Sequence, residues 1–169
     1  MLVSGTLRPA LERATQRALA CGALRPIDTV QQTIEDGGIE FVIRSVSSLA
    51  RKALSRSRGR PGAATPVNPF LPFDPNLFVA DISTTHVALL NKFNVVASHL
   101  IIATRRFVPQ EAPLDGEDFA ALCACLAQLD GLGFYNAGAA AGASQPHKHL
   151  QMIPLPLGSG GASTPRLPK

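Results

Sequence analysis

The segment Pro146-His147-Lys148-His149-Leu150-Gln151 places two imidazoles and a carboxamide at two-residue spacing. Side chains alternate between the faces of a β-strand, so as a strand it turns His147, His149 and Gln151 to one side and Lys148, Leu150 and Met152 to the other. A neutral imidazole offers a lone pair near neutral pH, and its phosphorylated or nucleotidylated adduct stays reactive toward a second nucleophile. That chemistry suits a two-step transfer at phosphorus. His149 is central in the face and is the better nucleophile, with His147 orienting or polarising the site. Gln151 donates through its amide without a titrating proton, so it stabilises charge rather than supplying general acid catalysis. Just upstream, the small residues of Gly142-Ala143-Ser144-Gln145 let backbone N–H groups approach an anion.

Blander readings fit the same residues. Histidines at alternate strand positions occur in metal sites, and a pair of them can be hydrogen-bonded structural groups. Zinc is disfavoured because the third aligned residue is Gln and no Cys, Asp or Glu lies close in sequence, so no metal ligand is assigned. His86 and His99 read as structural. A loop rich in Gly and Ala is, on its own, equally a plain connector.

The elements that must position these groups follow from composition and pattern. With 169 residues, 46% of them hydrophobic, the chain supports one domain with a sizeable core. Asn91, Lys92, Asn94, His99 and Arg105 interrupt the apolar stretches, so a transmembrane segment is not expected. Met1 to Ala20 carries Arg8, Glu12, Arg13 and Arg17 and reads as an amphipathic helix rather than a secretory signal. The three cysteines, Cys21, Cys123 and Cys125, lack metal-ligand spacing and read as buried cytoplasmic thiols, the last two pointing apart on a helix. The net charge of +4 is concentrated between Arg51 and Arg60. That run has no interleaved aromatic residue for base stacking, so it reads as a solvated loop rather than a nucleic-acid site.

Along the chain an α+β order emerges. A first helix from about Leu2 to Cys21 shows Leu7, Leu11, Ala14, Ala18 and Cys21 at helical spacing. Thr29 to Ile34 and Ile39 to Val46 flank Glu35-Asp36-Gly37-Gly38, a hairpin signature. After a polar loop to about Pro66, Asn68-Pro69-Phe70-Leu71-Pro72-Phe73 is held extended by its prolines. Leu77 to Ile82, His86 to Phe93 and Val95 to Thr104 form an antiparallel meander. Asp115 caps a helix running to Leu129, with Asp118 in its first turn and Phe119, Leu122, Leu126 and Leu129 as its apolar stripe. Leu132 to Asn136 and Lys148 to Ile153 complete the sheet. The domain spans residues 1–157, and 158–169, opening Gly158-Ser159-Gly160-Gly161, reads as a linker or frayed terminus.

Asn91-Lys92-Phe93-Asn94-Val95-Val96, Phe134-Tyr135-Asn136-Ala137-Gly138, Gly142-Ala143-Ser144-Gln145 and His147-Lys148-His149-Leu150-Gln151 together resemble the ATP adenylyltransferase family. These enzymes, also called diadenosine tetraphosphate phosphorylases, belong to the histidine-triad superfamily. Asn68-Pro69-Phe70-Leu71-Pro72-Phe73 and Glu35-Asp36-Gly37-Gly38 look like that family too, so the resemblance runs from near the N-terminus to about Leu157. It implies an α+β fold with a histidine-triad-like antiparallel sheet and flanking helices. It also implies reversible adenylyl transfer: phosphorolysis of diadenosine tetraphosphate to ATP and ADP through an adenylylated His149. The substrate-binding positions carried over are Lys52, Asn91, Lys92, Asn136, Gly142, Ala143, Ser144, Gln145 and Gln151. Magnesium or another divalent cation is expected with the nucleotide. The expected partners are the nucleotides and phosphate themselves, with no nucleic acid and no membrane, and self-association is compatible. Members of the family are longer, with a further C-terminal portion expected to be absent here. The alternatives carried forward are a histidine-triad dinucleoside polyphosphate hydrolase or nucleotidyl-sugar transferase, and a non-catalytic nucleotide-binding fragment.

Overall fold

The structure, a computed structural model, describes residues 1–46 and 68–156. Lys52, the basic run between Arg51 and Arg60, and the tail from residue 158 lie outside the described residues. Helix α1 (Leu7–Ala20) buries Leu7, Leu11, Ala14 and Ala18, the stripe its spacing predicts. Its first N–H is capped from afar, by the Gln128 side-chain oxygen at 3.0 Å. Strands β1 (Thr29–Asp36) and β2 (Ile39–Val46) pair antiparallel in a separate two-stranded sheet. Gly37 and Gly38, at φ +59° and +76°, form the two-residue turn that L side chains would resist.

The main sheet has five antiparallel strands in the order β3 (Phe78–Asp81), β4 (His86–Leu90), β5 (Leu100–Thr104), β7 (His149–Pro154) and β6 (Gly131–Phe134). The first three make the expected meander, and β7 then enters between β5 and β6. Val95 to His99 is not strand, contrary to the expectation. Asn91 Oδ1 accepts the Phe93 N–H at 3.2 Å, Asn94 Nδ2 donates to Val96 O at 2.9 Å, and Ser98 has a φ of +57°. These local side-chain bonds compete with the ladder and turn residues 91–99 into a loop.

The sheet has two covered faces. Ala88, Leu90, Leu100, Ile102, Leu150 and Met152 pack against α1 and helix α2 (Gly116–Leu126). The alternate residues Val87, Leu89, Ile101 and Ala103 pack against Phe70, Phe73 and Phe78. Double coverage accounts for the uninterrupted burial of β4 and β5. Helix α2 begins in the expected cap, with Asp115 and Asp118 forming a reciprocal capping box.

Its buried stripe differs from the expected one: Asp118, Ala121 and Cys125 face inward and Phe119 is 53% exposed. Asp118 turns toward Lys148 and His86, and at about 100° per residue that rotation carries Phe119 outward. Cys123 and Cys125 do point apart, yet only Cys125 is buried, its thiol pushed up to about 12 by burial. Cys21 and Cys123 are exposed, which corrects the reading of three buried thiols. Among the described residues, no helix is long and apolar enough to cross a membrane.

Candidate functional site

Strand β7 begins at His149, so His147 lies just before it, in an isolated bridge to Pro109 rather than inside the strand. The two imidazoles still share a face, because the Phe70 ring meets both, at 5.5 Å from His147 and 5.1 Å from His149. Their hydrogen bonds fix their tautomers in sequence. The Phe70 N–H donates to Asn68 Oδ1 at 3.0 Å, which turns the Asn68 amide nitrogen toward His147 Nδ1 at 2.9 Å. Asn68 Oδ1 lies farther from Nδ1, at 3.3 Å, so the shorter contact assigns Nδ1 as an acceptor, and Nε2–H then donates to Thr104 O at 2.9 Å.

Both His147 nitrogens are thus engaged, and the residue is fully buried. Its carbonyl accepts the Nδ1–H of His149 at 2.8 Å. That bond leaves Nε2 as the lone-pair nitrogen of His149, the form nucleophilic attack requires. Burial holds both imidazoles below the ordinary imidazole range, partly offset at His147 by hydrogen bonds to Thr104 and Arg106 and at His149 by its bond to His147.

Gln151 is oriented by a second chain of bonds. With Asn91 Oδ1 accepting from Phe93, the Asn91 amide nitrogen faces His99 Nδ1 at 3.3 Å. His99 Nε2–H then donates to Gln151 Oε1 at 3.0 Å, so the Gln151 amide nitrogen is left to donate elsewhere. Burial lowers the pKa of His99, which favours the neutral form this chain needs. His99, read from the sequence as structural, is thus in direct contact with Gln151. The link runs through strand pairing rather than local pattern: Ile101 pairs with Gln151 across β5 and β7, and His99, two residues before Ile101, falls on the same face.

A cavity of about 530 Å³ opens over this face. Phe70, Phe73, Leu89, Phe93 and Ile101 supply its apolar walls, and Asn91, Lys92, Ser144, Gln145, His149 and Gln151 its polar side. Six of the sequence-predicted site residues thus meet at one cavity. His147, Asn136, Gly142 and Ala143 are not among its lining residues. Asn136 follows β6 and sits beside Gly142, where a Cβ would lie 3.8 Å from its amide nitrogen. Gly142 has a φ of +93°, a conformation that glycine tolerates. The N–H groups of Gly142 and Ala143 already donate to Ala139 O and Gly138 O, each at 3.0 Å. Those two amides are engaged within the loop, and the loop reaches the cavity through Ser144 and Gln145. Gln110, which no motif signalled, is fully buried and bonds both edges of the His149 peptide backbone.

Residues 1–168 match the family model described as the Ap4A phosphorylase N-terminal domain. Two curated proteins of Saccharomyces cerevisiae are similar to this chain. Diadenosine 5',5'''-P1,P4-tetraphosphate phosphorylase 2 is 38% identical over 79 residues, covering 40% of this chain and 24% of the relative. Protein APA1 is 36% identical over 75 residues, covering 40% and 23%. Among solved structures, yeast Ap4A phosphorylase Apa2 in complex with Ap4A superposes with a TM-score of 0.77 at 25% identity, covering 92% of this chain and 53% of that one. The same yeast protein in complex with AMP gives a TM-score of 0.75 at 24% identity, with 92% and 52% covered. The α+β architecture of two antiparallel sheets and flanking helices is therefore shared; this chain spans about half the length of the solved relatives, and the matched segments cover about a quarter of the curated ones.

Proposed function

The chain belongs to the family of Ap4A phosphorylase N-terminal domains, and on that premise we propose that it transfers adenylyl groups through His149 within a histidine-triad-type site. In the first step His149 Nε2 attacks an α-phosphorus of diadenosine tetraphosphate. The P–N bond forms, the P–O bond to the departing ATP breaks, and the imidazole carries the positive charge, stabilised by its Nδ1–H bond to the His147 carbonyl. In the second step an oxygen of inorganic phosphate attacks the same phosphorus, the P–N bond breaks, and ADP leaves with neutral His149 restored.

Lys92 and, outside the described residues, Lys52 would offset phosphate charge. Ser144, Gln145 and the Gln151 amide would donate to oxygens where charge develops. Asn91 holds His99 and so serves this role indirectly, and His147 acts as a prop rather than a reacting group.

A divalent cation would arrive with the polyphosphate and offset its charge. Among the cavity's described lining residues Asp74 is the one carboxylate, and its Oδ1 accepts the Asn76 N–H at 2.9 Å. The observation that carries the reading is the His149 tautomer, fixed with its lone pair at a cavity that Gln151 also lines. The test is phosphate dependence: diadenosine tetraphosphate should be consumed to ATP and ADP only with phosphate present, and labelled ATP should leave an acid-labile adduct lost in His149→Gln. Equal cleavage without phosphate would point to the hydrolase and sink the phosphorylase reading. Nucleotide binding with no adduct would point to a binding module.

A further inference from the structure

Strand β6 pairs with β7 only as far as Phe134 opposite Gln151. Continued two residues further, the same antiparallel register would set Asn136 opposite His149. That pair does not form, and the side chain of Gln110 stands in the gap. Gln110 Oε1 accepts the His149 N–H at 2.8 Å, and Nε2 donates both to His149 O at 3.1 Å and to Asn136 O at 2.8 Å. One carboxamide therefore takes the place of the Asn136–His149 pairing and stands between the two backbones.

The fit is specific to glutamine. The site needs one acceptor and two donors in a plane, without charge, at full burial. Glutamate at neutral pH supplies no donor, and asparagine is a methylene short. The Gln110 backbone is itself clamped: its N–H donates to Pro146 O at 2.9 Å, and its carbonyl accepts from the Tyr135 hydroxyl. Tyr135 and Pro146 flank the loop of residues 136–145 at its two ends, so the same residue is tied to both the loop and the nucleophile.

We infer that Gln110 is a positioning residue, a spacer that sets the His149 backbone and holds Asn136 with its loop at the distance the transferring phosphorus requires. The inference rests on the adenylyl-transfer reading for its consequence in rate. A misplacement near 1 Å costs on the order of 10²-fold. Gln110→Met should accordingly slow single-turnover adenylylation of His149 by labelled ATP about 10- to 100-fold, with nucleotide affinity changed less than about threefold.

Gln110→Glu provides a readout that mere packing would not move. As a carboxylate it leaves the carbonyls of His149 and Asn136 without a donor. Protonated, it accepts from the His149 N–H and donates to one of them, and burial raises the pH at which it protonates. The ratio of its rate to that of the unmodified protein should therefore climb as pH falls from about 8 to about 6, over the range where thermal melts show both proteins folded. A flat or falling ratio would overturn the inference, as would Gln110→Met at the unmodified rate.

If the unmodified chain forms no adduct, the functional reading falls instead, and amide hydrogen exchange still decides the spacer. Protection of the His149 N–H should drop at least tenfold in Gln110→Met relative to β5 amides, and unchanged protection would refute it.

Discussion

Gln151 has one oxygen and one nitrogen at the end of its side chain, and only the nitrogen helps a phosphoryl group that is gaining charge. What decides their orientation is a relay that starts at the Phe93 backbone N–H and runs through Asn91 and His99. His99→Phe should let the Gln151 amide turn over, slowing adenylylation about tenfold, whereas Gln151→Met removes the donor outright and should cost about 10²-fold, the lower end for a lost oxyanion donor. Single-turnover rates with nucleotide affinity measured in parallel would check this. Comparable losses in affinity would assign both residues to ground-state binding. The strand spacing of His147, His149 and Gln151 was legible in the sequence because it depends on near neighbours. His99 and Gln110 were not, since each meets the site across a strand pairing or an intervening loop that no local pattern encodes.

At the scale of elements, the segment that leads from His147 into β7 has opposite chemistry on its two sides. One side carries the imidazoles, while the other carries Lys148, 2% exposed, with Asp118 as a close ion-pair partner and Pro113 O at 2.8 Å. Burial would lower the lysine's pKa, but the contacts to Asp118 and Asp115 outweigh it and raise it, so the ammonium persists. Asp118 also receives His86 Nε2 at 3.0 Å and the Asp115 N–H at 2.9 Å, which joins α2, β4 and β7 through one carboxylate. Asp118→Ala would leave that ammonium buried without its closest carboxylate. It should destabilise the fold by about 3–5 kcal/mol in urea unfolding, with most of the loss recovered in the double variant Asp118→Leu and Lys148→Met. A cost below about 1 kcal/mol would mean that water or Asp115 compensates. The periodicity of α2 misled at this point: it ranks Phe119 inward by hydropathy, whereas Lys148, just before β7, decides which face turns in. Helix α1 and the meander were legible because their stripes and turns are local.

The whole molecule separates a helix-covered face from a face where three of the chain's four histidines gather. His99, His147 and His149 all titrate below the ordinary imidazole value in the folded state, burial being the largest cause at each. In the unfolded chain they return to about 6.5. As pH falls through that value the unfolded state takes up protons before the folded one does, so stability is complete above it and declines toward the lower folded values. Carboxylates add their own losses only below about pH 5, which leaves a window from about 7.5 to 5.5 in which the histidines dominate. The melting temperature should fall across that window, and His147→Gln should flatten the slope even if it lowers stability at every pH. The readout is the slope and not the midpoint, so a generally weakened variant still reports. A melting temperature constant across the window, or a slope unchanged in His147→Gln, would show that these imidazoles protonate as readily folded as unfolded. The neutral lone pair of His149 would then not be secured by burial at all.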